Sequence, residues 1–147
     1  KDITEKVNFA EIKGKSILIT GSTGVVGHYL VASIHQAAKK GYVPSVLYLV
    51  CKNNPPEYFK EILEGLPVKI IRGDLSNNGL FSGIPQVDYI IHAAGYGQPA
   101  KFMGDPVTTL KINTTGTFQT IEKTSSRGKY LFISTSEVYS GLSNPPF

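Results

Sequence analysis

The chain has 147 residues, 41% of them apolar and 18% charged, with a net charge of +4. That length supports one sizeable core and excludes two ordinary domains. Lys and Arg are scattered, with no like-charge run beyond two residues. This argues against a nucleic-acid partner and leaves two readings, a surface that meets small anions or a merely soluble one. The single cysteine, Cys51, excludes a disulfide framework or a zinc ligand set within the chain. With no leader-like segment and no apolar run of membrane length, a cytoplasmic protein with no membrane partner is expected.

Residues 1–14 are polar and mixed, and read as an N-terminal extension ending at a turn on Gly14. The remainder, 15–147, reads as one partial domain. Ser16–Thr20 is a short apolar strand before a glycine. Val26, Leu30, Ile34 and Ala37 then recur at helical spacing, and Lys39-Lys40-Gly41 supplies a helix stop. A second strand is expected over 45–51 and a short helix from Pro56-Glu57 to Leu63, closed by Gly65. A third strand follows at 68–71 and a fourth at 87–92. A helix is expected over about 106–123 and a fifth strand over 129–134.

The strands are continuous apolar runs alternating with helices. That pattern implies an open parallel α/β sheet covered on both faces. Right-handed crossovers with a reversal after the third strand give a doubly wound, Rossmann-like order 3-2-1-4-5. Ligands of such sheets bind at the carboxyl ends of the strands, and every motif below falls at such an end.

Thr20-Gly21-Ser22-Thr23-Gly24-Val25-Val26-Gly27 follows the first strand and opens the first helix. Gly21 permits a tight turn, Gly24 lets backbone approach a pyrophosphate, and Gly27 lets the helix pack closely. The free N–H groups at Val25, Val26 and Gly27 and the helix dipole suit phosphates. Thr23 lies in the same turn. The second strand ends Val50-Cys51-Lys52-Asn53-Asn54, without the carboxylate that would bind ribose hydroxyls and select NAD. Lys52 either meets a 2′-phosphate, favouring NADP, or is a plain surface lysine. His92 ends a buried strand and reads as a hydrogen-bonded core histidine rather than a base.

The G-x-x-G-x-x-G spacing resembles the extended short-chain dehydrogenase/reductase family, the NAD-dependent epimerase/dehydratases. Four further stretches match its pattern in order: Asp74-Leu75, His92-Ala93-Ala94-Gly95, Asn113-Thr114-Thr115-Gly116-Thr117, and Ser134-Thr135-Ser136-Glu137-Val138-Tyr139. The resemblance spans about residues 16–140. It implies that Asp74 accepts from the adenine amino group and that Ala93, Ala94 and Gly95 lie beneath the nicotinamide ribose. Leu75, Asn113 and Ser134 complete the implied cofactor contacts. Thr135 takes the catalytic Ser/Thr place.

Glu137, together with the stretch from Pro99 to Lys111, resembles the UDP-glucuronate decarboxylase and nucleotide-sugar 4,6-dehydratase branch. The resemblance then implies acid/base work for Glu137 and substrate contacts for Lys111 and Ser136. Glu137 as a solvated turn residue and Lys111 as a solvent-facing lysine stay open. The implied reaction is transient oxidation of a nucleotide-sugar at C4 by NAD, with NADP as an alternative, in a homodimer. No metal is expected.

The family's reaction needs a Tyr-x-x-x-Lys pair after the fifth strand. The one such spacing, Tyr48-Leu49-Val50-Cys51-Lys52, lies in the second strand and is a decoy. The chain starts at Lys1 and stops soon after the fifth strand, so it reads as an N-terminal fragment that is inactive alone. Two rivals stand beside the nucleotide-sugar reading. One is an NADP-dependent reductase of a non-sugar carbonyl, and the other a non-catalytic dinucleotide-binding module.

Overall fold

A computed structural model describes residues 5–139, excepting the side chains of Ser136 and Glu137. Five parallel strands form one sheet in the order β3-β2-β1-β4-β5. They are β1 (Ser16–Thr20), β2 (Val46–Cys51), β3 (Val68–Arg72), β4 (Val87–His92) and β5 (Thr124–Phe132). The expected strand order and parallel sheet are present.

Alternation along each strand sends side chains into two cores, one per face. Ile17, Ile19, Leu47 and Leu49 meet Val31, Ile34 and Phe59 of helices α1 (Val25–Lys39) and α2 (Glu57–Leu63) on one face. Leu18, Tyr48, Val50 and Ile90 meet Leu75, Phe81 and Ile112 on the other. Each such buried aliphatic side chain contributes roughly 1.5–3 kcal/mol of transfer free energy. Asp88 accepts from the Ser16 N–H and hydroxyl, both at 2.9 Å, tying the start of β4 to that of β1.

Two expectations need correction. The helix expected over 106–123 is interrupted. Pro99–Gly104 forms a separate helix α3, which the sequence reading missed. It ends at Asp105, whose side chain accepts from the Thr108 N–H at 3.1 Å and caps α4 (Pro106–Lys111). Residues Ile112–Gly116 then form a π-helical turn before α5 (Thr117–Ile121). The turn sits on Leu75: a Cβ at Gly116 would lie 3.4 Å from the Leu75 Cβ, an ordinary contact.

The second correction concerns β5, which begins at Thr124 rather than at 129. Thr124 pairs with Val87, and pairing then skips to Lys129 opposite Tyr89. The polar Thr-Ser-Ser-Arg-Gly stretch is taken up in this irregularity. A Cβ on Gly128 would stand 2.8 Å from the Asp88 carbonyl, so only glycine fits beside β4 there.

Candidate functional site

The carboxyl ends of β1, β2, β3 and β4 open into one cleft. It is lined by Gly21 and Thr23–Gly24, by Val50–Lys52, by Gly73–Leu75, by Ala93–Tyr96 and by Ile112. Nine of the expected cofactor residues therefore meet in one place: Gly21, Thr23, Gly24, Lys52, Asp74, Leu75, Ala93, Ala94 and Gly95.

The glycine turn explains how α1 comes so close. Gly21 has φ +65°, a conformation that side chains disfavour. A Cβ there would also lie 2.8 Å from the Ala93 carbonyl and the Ala94 backbone. A Cβ on Gly27 would collide with the Gly21 carbonyl, so the first turn of α1 packs directly on the strand-to-helix turn. Gly24 is the N-cap and offers no side chain to the helix. The N–H groups of Val25, Val26 and Gly27 consequently receive no side-chain cap, at the positive end of a 15-residue helix dipole. Val25 and Val26 are exposed and, with Gly27, follow the lining residue Gly24 along the chain without lining the cleft themselves.

At the far end, the Lys52 ammonium lies 2.7 Å from Asp74 Oδ2. The Ser76 N–H and hydroxyl both donate to Asp74 Oδ1, at 2.9 and 2.8 Å. The Lys52 ammonium, followed by the Ser76 backbone N–H, holds the Asp74 carboxyl down at about 2. The same pairing raises the pKa of Lys52. Asp74 is thus ionised and already engaged on both oxygens. An adenine amino group would have to share it.

His92 is fully buried, as expected of a core histidine. Its Nδ1 is 2.6 Å from the Thr20 hydroxyl, which also accepts from the Ala94 N–H at 3.2 Å. Burial lowers its pKa, an effect that the Ile112 backbone only partly offsets. Among the described residues, Nε2 has no hydrogen bond of good geometry. A neutral ring locked between strand ends positions the Ala93–Gly95 turn and is far from a solvent-reachable base.

Asn113 belongs to the π-helical turn, and its Oδ1 lies 3.8 Å from where a Gly95 Cβ would stand. It therefore borders the cleft beside the Ala93–Gly95 turn. Leu75 serves the core as well as the cleft, being 7% exposed. Lys111, Ser134 and Thr135 are exposed and lie outside the lining of the cleft. The backbone of Ser136–Tyr139 forms a short 3-10 turn after β5, while the side chains of Ser136 and Glu137 lie outside the described set. The Tyr48–Lys52 decoy is excluded as a catalytic pair. Tyr48 is buried in mid-strand and Lys52 is four residues further along, about 13 Å away.

Five lining residues escaped the sequence reading: Val50, Cys51, Gly73, Tyr96 and Ile112. Tyr96 directly follows the His92–Gly95 motif and acts on Lys52. Its aromatic character at a strand end was a usable signal. Ile112 offered none, because a π-helical turn brings it to the cleft. Among the described residues no cluster of three His, Cys, Asp or Glu could hold a metal.

Residues 17–146 match the NAD dependent epimerase/dehydratase family. The chain belongs to that family. It is 30% identical over 128 residues to UDP-glucuronic acid decarboxylase 2 of Arabidopsis thaliana, covering 86% of this chain and 27% of that protein. It is 23% identical over 131 residues to dTDP-glucose 4,6-dehydratase of Streptomyces antibioticus, covering 86% and 39%. This epimerase/dehydratase chain therefore spans well under half the length of those relatives. Its fold matches a UDP-glucose-4-epimerase from Stenotrophomonas maltophila, solved with bound NAD and formylated UDP-arabinopyranose, at a TM-score of 0.67. That match has 18% identity and covers 90% of this chain and 40% of the other.

NAD is the cofactor of this family, and the cleft fits it. The uncapped N-terminus of α1 and the turn bounded by Gly21 and Gly24 have the donors and the space that a pyrophosphate requires. No helix of the described residues is long and apolar enough to cross a membrane.

Proposed function

We propose that the chain is the NAD-binding part of a nucleotide-sugar epimerase, dehydratase or decarboxylase that acts through transient oxidation at C4. The observation that carries this reading is the convergence of the segments at the ends of β1, β2, β3 and β4 on one cleft beside the uncapped α1.

The N–H groups of Val25–Gly27 would hold the pyrophosphate, and Gly24 leaves room for it. Asp74, Leu75 and Lys52 would face the adenosine end. Ala93, Ala94, Gly95 and Asn113 would support the nicotinamide ribose, with Ser134 beside them. Bound NAD supplies reversible hydride acceptance from the sugar. Thr135 would orient the C4 hydroxyl, Glu137 would move a proton at the sugar, and Lys111 and Ser136 would contact the substrate. The likeness to UDP-glucuronic acid decarboxylases favours that branch. Exposed Met103, Val107, Leu110 and Phe118 on α3–α5 support assembly as a homodimer.

The test has two stages. Titration calorimetry with NAD should give saturable binding, and Gly24→Ala should weaken it at least tenfold. A longer chain that carries a Tyr-x-x-x-Lys pair after the fifth strand is then offered UDP-glucuronate, dTDP-glucose and UDP-glucose with NAD. Turnover without net accumulation of NADH supports the reading. Net NADPH consumption on a non-sugar carbonyl would favour the reductase reading instead, which the lack of a carboxylate at the end of β2 keeps in view.

A further inference from the structure

We infer that His92 is a positioning residue for the nicotinamide-ribose end of the cleft: its buried ring ties the Ala93–Gly95 turn to the π-helical turn that carries Asn113. This deepens the dinucleotide reading above and rests on it.

His92 is fully buried at the end of β4, where it pairs with Thr20 of β1. A buried imidazole needs a partner at each nitrogen. Nδ1 has the Thr20 hydroxyl at 2.6 Å, and that hydroxyl also accepts from the Ala94 N–H. With the hydroxyl donating its own proton to Nδ1, the ring proton sits on Nε2 and the imidazole is neutral. Nε2 is left facing the Ile112 backbone, which favours the protonated ring and therefore acts through its carbonyl. The contact falls short of good hydrogen-bond geometry, yet Nε2 has no other partner among the described residues. Phe132, its neighbour on β5, holds the ring from the side, with centroids 5.3 Å apart.

The π-helical turn explains why a backbone carbonyl is offered to a side chain. It begins at Ile112 and holds one residue more than an α-helical turn, which displaces carbonyls from their usual donors four residues on. The next residue is Asn113, whose Oδ1 lies 3.8 Å from where a Gly95 Cβ would stand. One imidazole thus reaches both walls of this end of the cleft. It reaches the Ala94 N–H through Thr20, and Asn113 through Ile112. The ring sets the gap between them, and a side chain at 92 without the Nε2 donor would let the carboxamide drift from Gly95.

The experiment reads the ring first. Long-range proton–nitrogen correlation spectra of the isotope-labelled chain should show His92 as the neutral Nε2–H tautomer, and an Nδ1–H tautomer overturns the inference. Calorimetric titration with NAD and ADP follows on the parent chain, His92→Asn, His92→Gln and Asn113→Ala, with urea unfolding to confirm that each is folded. ADP has the adenosine and the pyrophosphate but no nicotinamide ribose. His92→Asn keeps an acceptor for Thr20 and no donor for Ile112, so it should lose about tenfold in NAD affinity with ADP affinity unchanged. His92→Gln places an amide N–H at the Nε2 position and should recover most of that loss. On an Asn113→Ala background, His92→Asn should cost NAD nothing further. Equal losses for NAD and ADP, equal losses in the Asn and Gln variants, or losses additive with Asn113→Ala overturn the inference and leave the dinucleotide reading standing. A folded parent chain that binds neither NAD nor ADP overturns both. Where a His92 variant does not fold, the ring tautomer decides alone.

Discussion

Replacing Asp74 by asparagine isolates one charge. The amide keeps an oxygen for Ser76 and removes the partner of Lys52. The folded carboxyl sits at about 2, against an ordinary value of 3.8. Full linkage of such a displacement amounts to about 2 kcal/mol above the unfolded pKa. Lys52 is 60% exposed, so solvent screening reduces this to about 1 kcal/mol. A depressed carboxyl pKa stabilises the fold above pH 4, and that stability is lost as pH falls through about 2. The raised pKa of Lys52 is the other half of the same pair and sets its alkaline limit, above the ordinary lysine value of 10.5. Urea unfolding at pH 7 should therefore show Asp74→Asn less stable by about 1 kcal/mol, a midpoint shift of about 0.5 M. At pH 3 about half of the difference should remain. A difference constant from pH 7 to pH 3, or none at pH 7, would refute the ion pair as its origin.

Gly21→Ala should cost at least about 2 kcal/mol in urea unfolding, because it combines a positive φ with backbone collisions at 2.8 Å. Gly24→Ala should behave differently. Its Cβ would meet only the Gly21 carbonyl at 3.2 Å, so stability should fall by about 1 kcal/mol or less while NAD affinity falls at least tenfold. Equal effects on stability and binding would remove Gly24 from the phosphate cradle. Thr20→Val strands His92 Nδ1 and the Ala94 N–H in the interior, and should cost about 1–3 kcal/mol by the same measurement. Leu47→Ala, at a fully buried position, should cost about 2–5 kcal/mol.

The strands and the first strand-to-helix turn were readable because each is a local signal. Ser16–Thr20 and Val87–His92 are apolar runs ended by glycine or small residues, and their bounds match the sequence reading. The broken helix after β4 was less readable. Pro99, Asp105 and Pro106 mark its stops and starts, yet helical periodicity over 106–123 outweighed them. The early start of β5 depends on pairing with Val87, a partner 37 positions away that no local pattern in Thr124–Gly128 announces. The same holds at the site. Gly21, Asp74 and Ala93–Gly95 were found as motifs. The Lys52–Asp74 pair was not, since the end of β2 and the loop after β3 meet only once the sheet has formed.

The π-helical turn at Ile112–Gly116 makes the helical region after β4 sensitive to length as well as to composition. A turn with an i→i+5 bond accommodates one residue more than an α-helical turn. Removing any one of Asn113, Thr114 or Thr115 would let α4 and α5 join as a regular helix. Because the wide turn absorbs that residue locally, α4 and α5 would keep their alignment, and Met103, Val107 and Leu110 their place relative to Phe118. Only the side chains of the turn itself would be re-aimed or lost, the carboxamide beside Gly95 among them. A single codon deletion there would thus alter one wall of the cofactor cleft and leave the outer face of the molecule as it is.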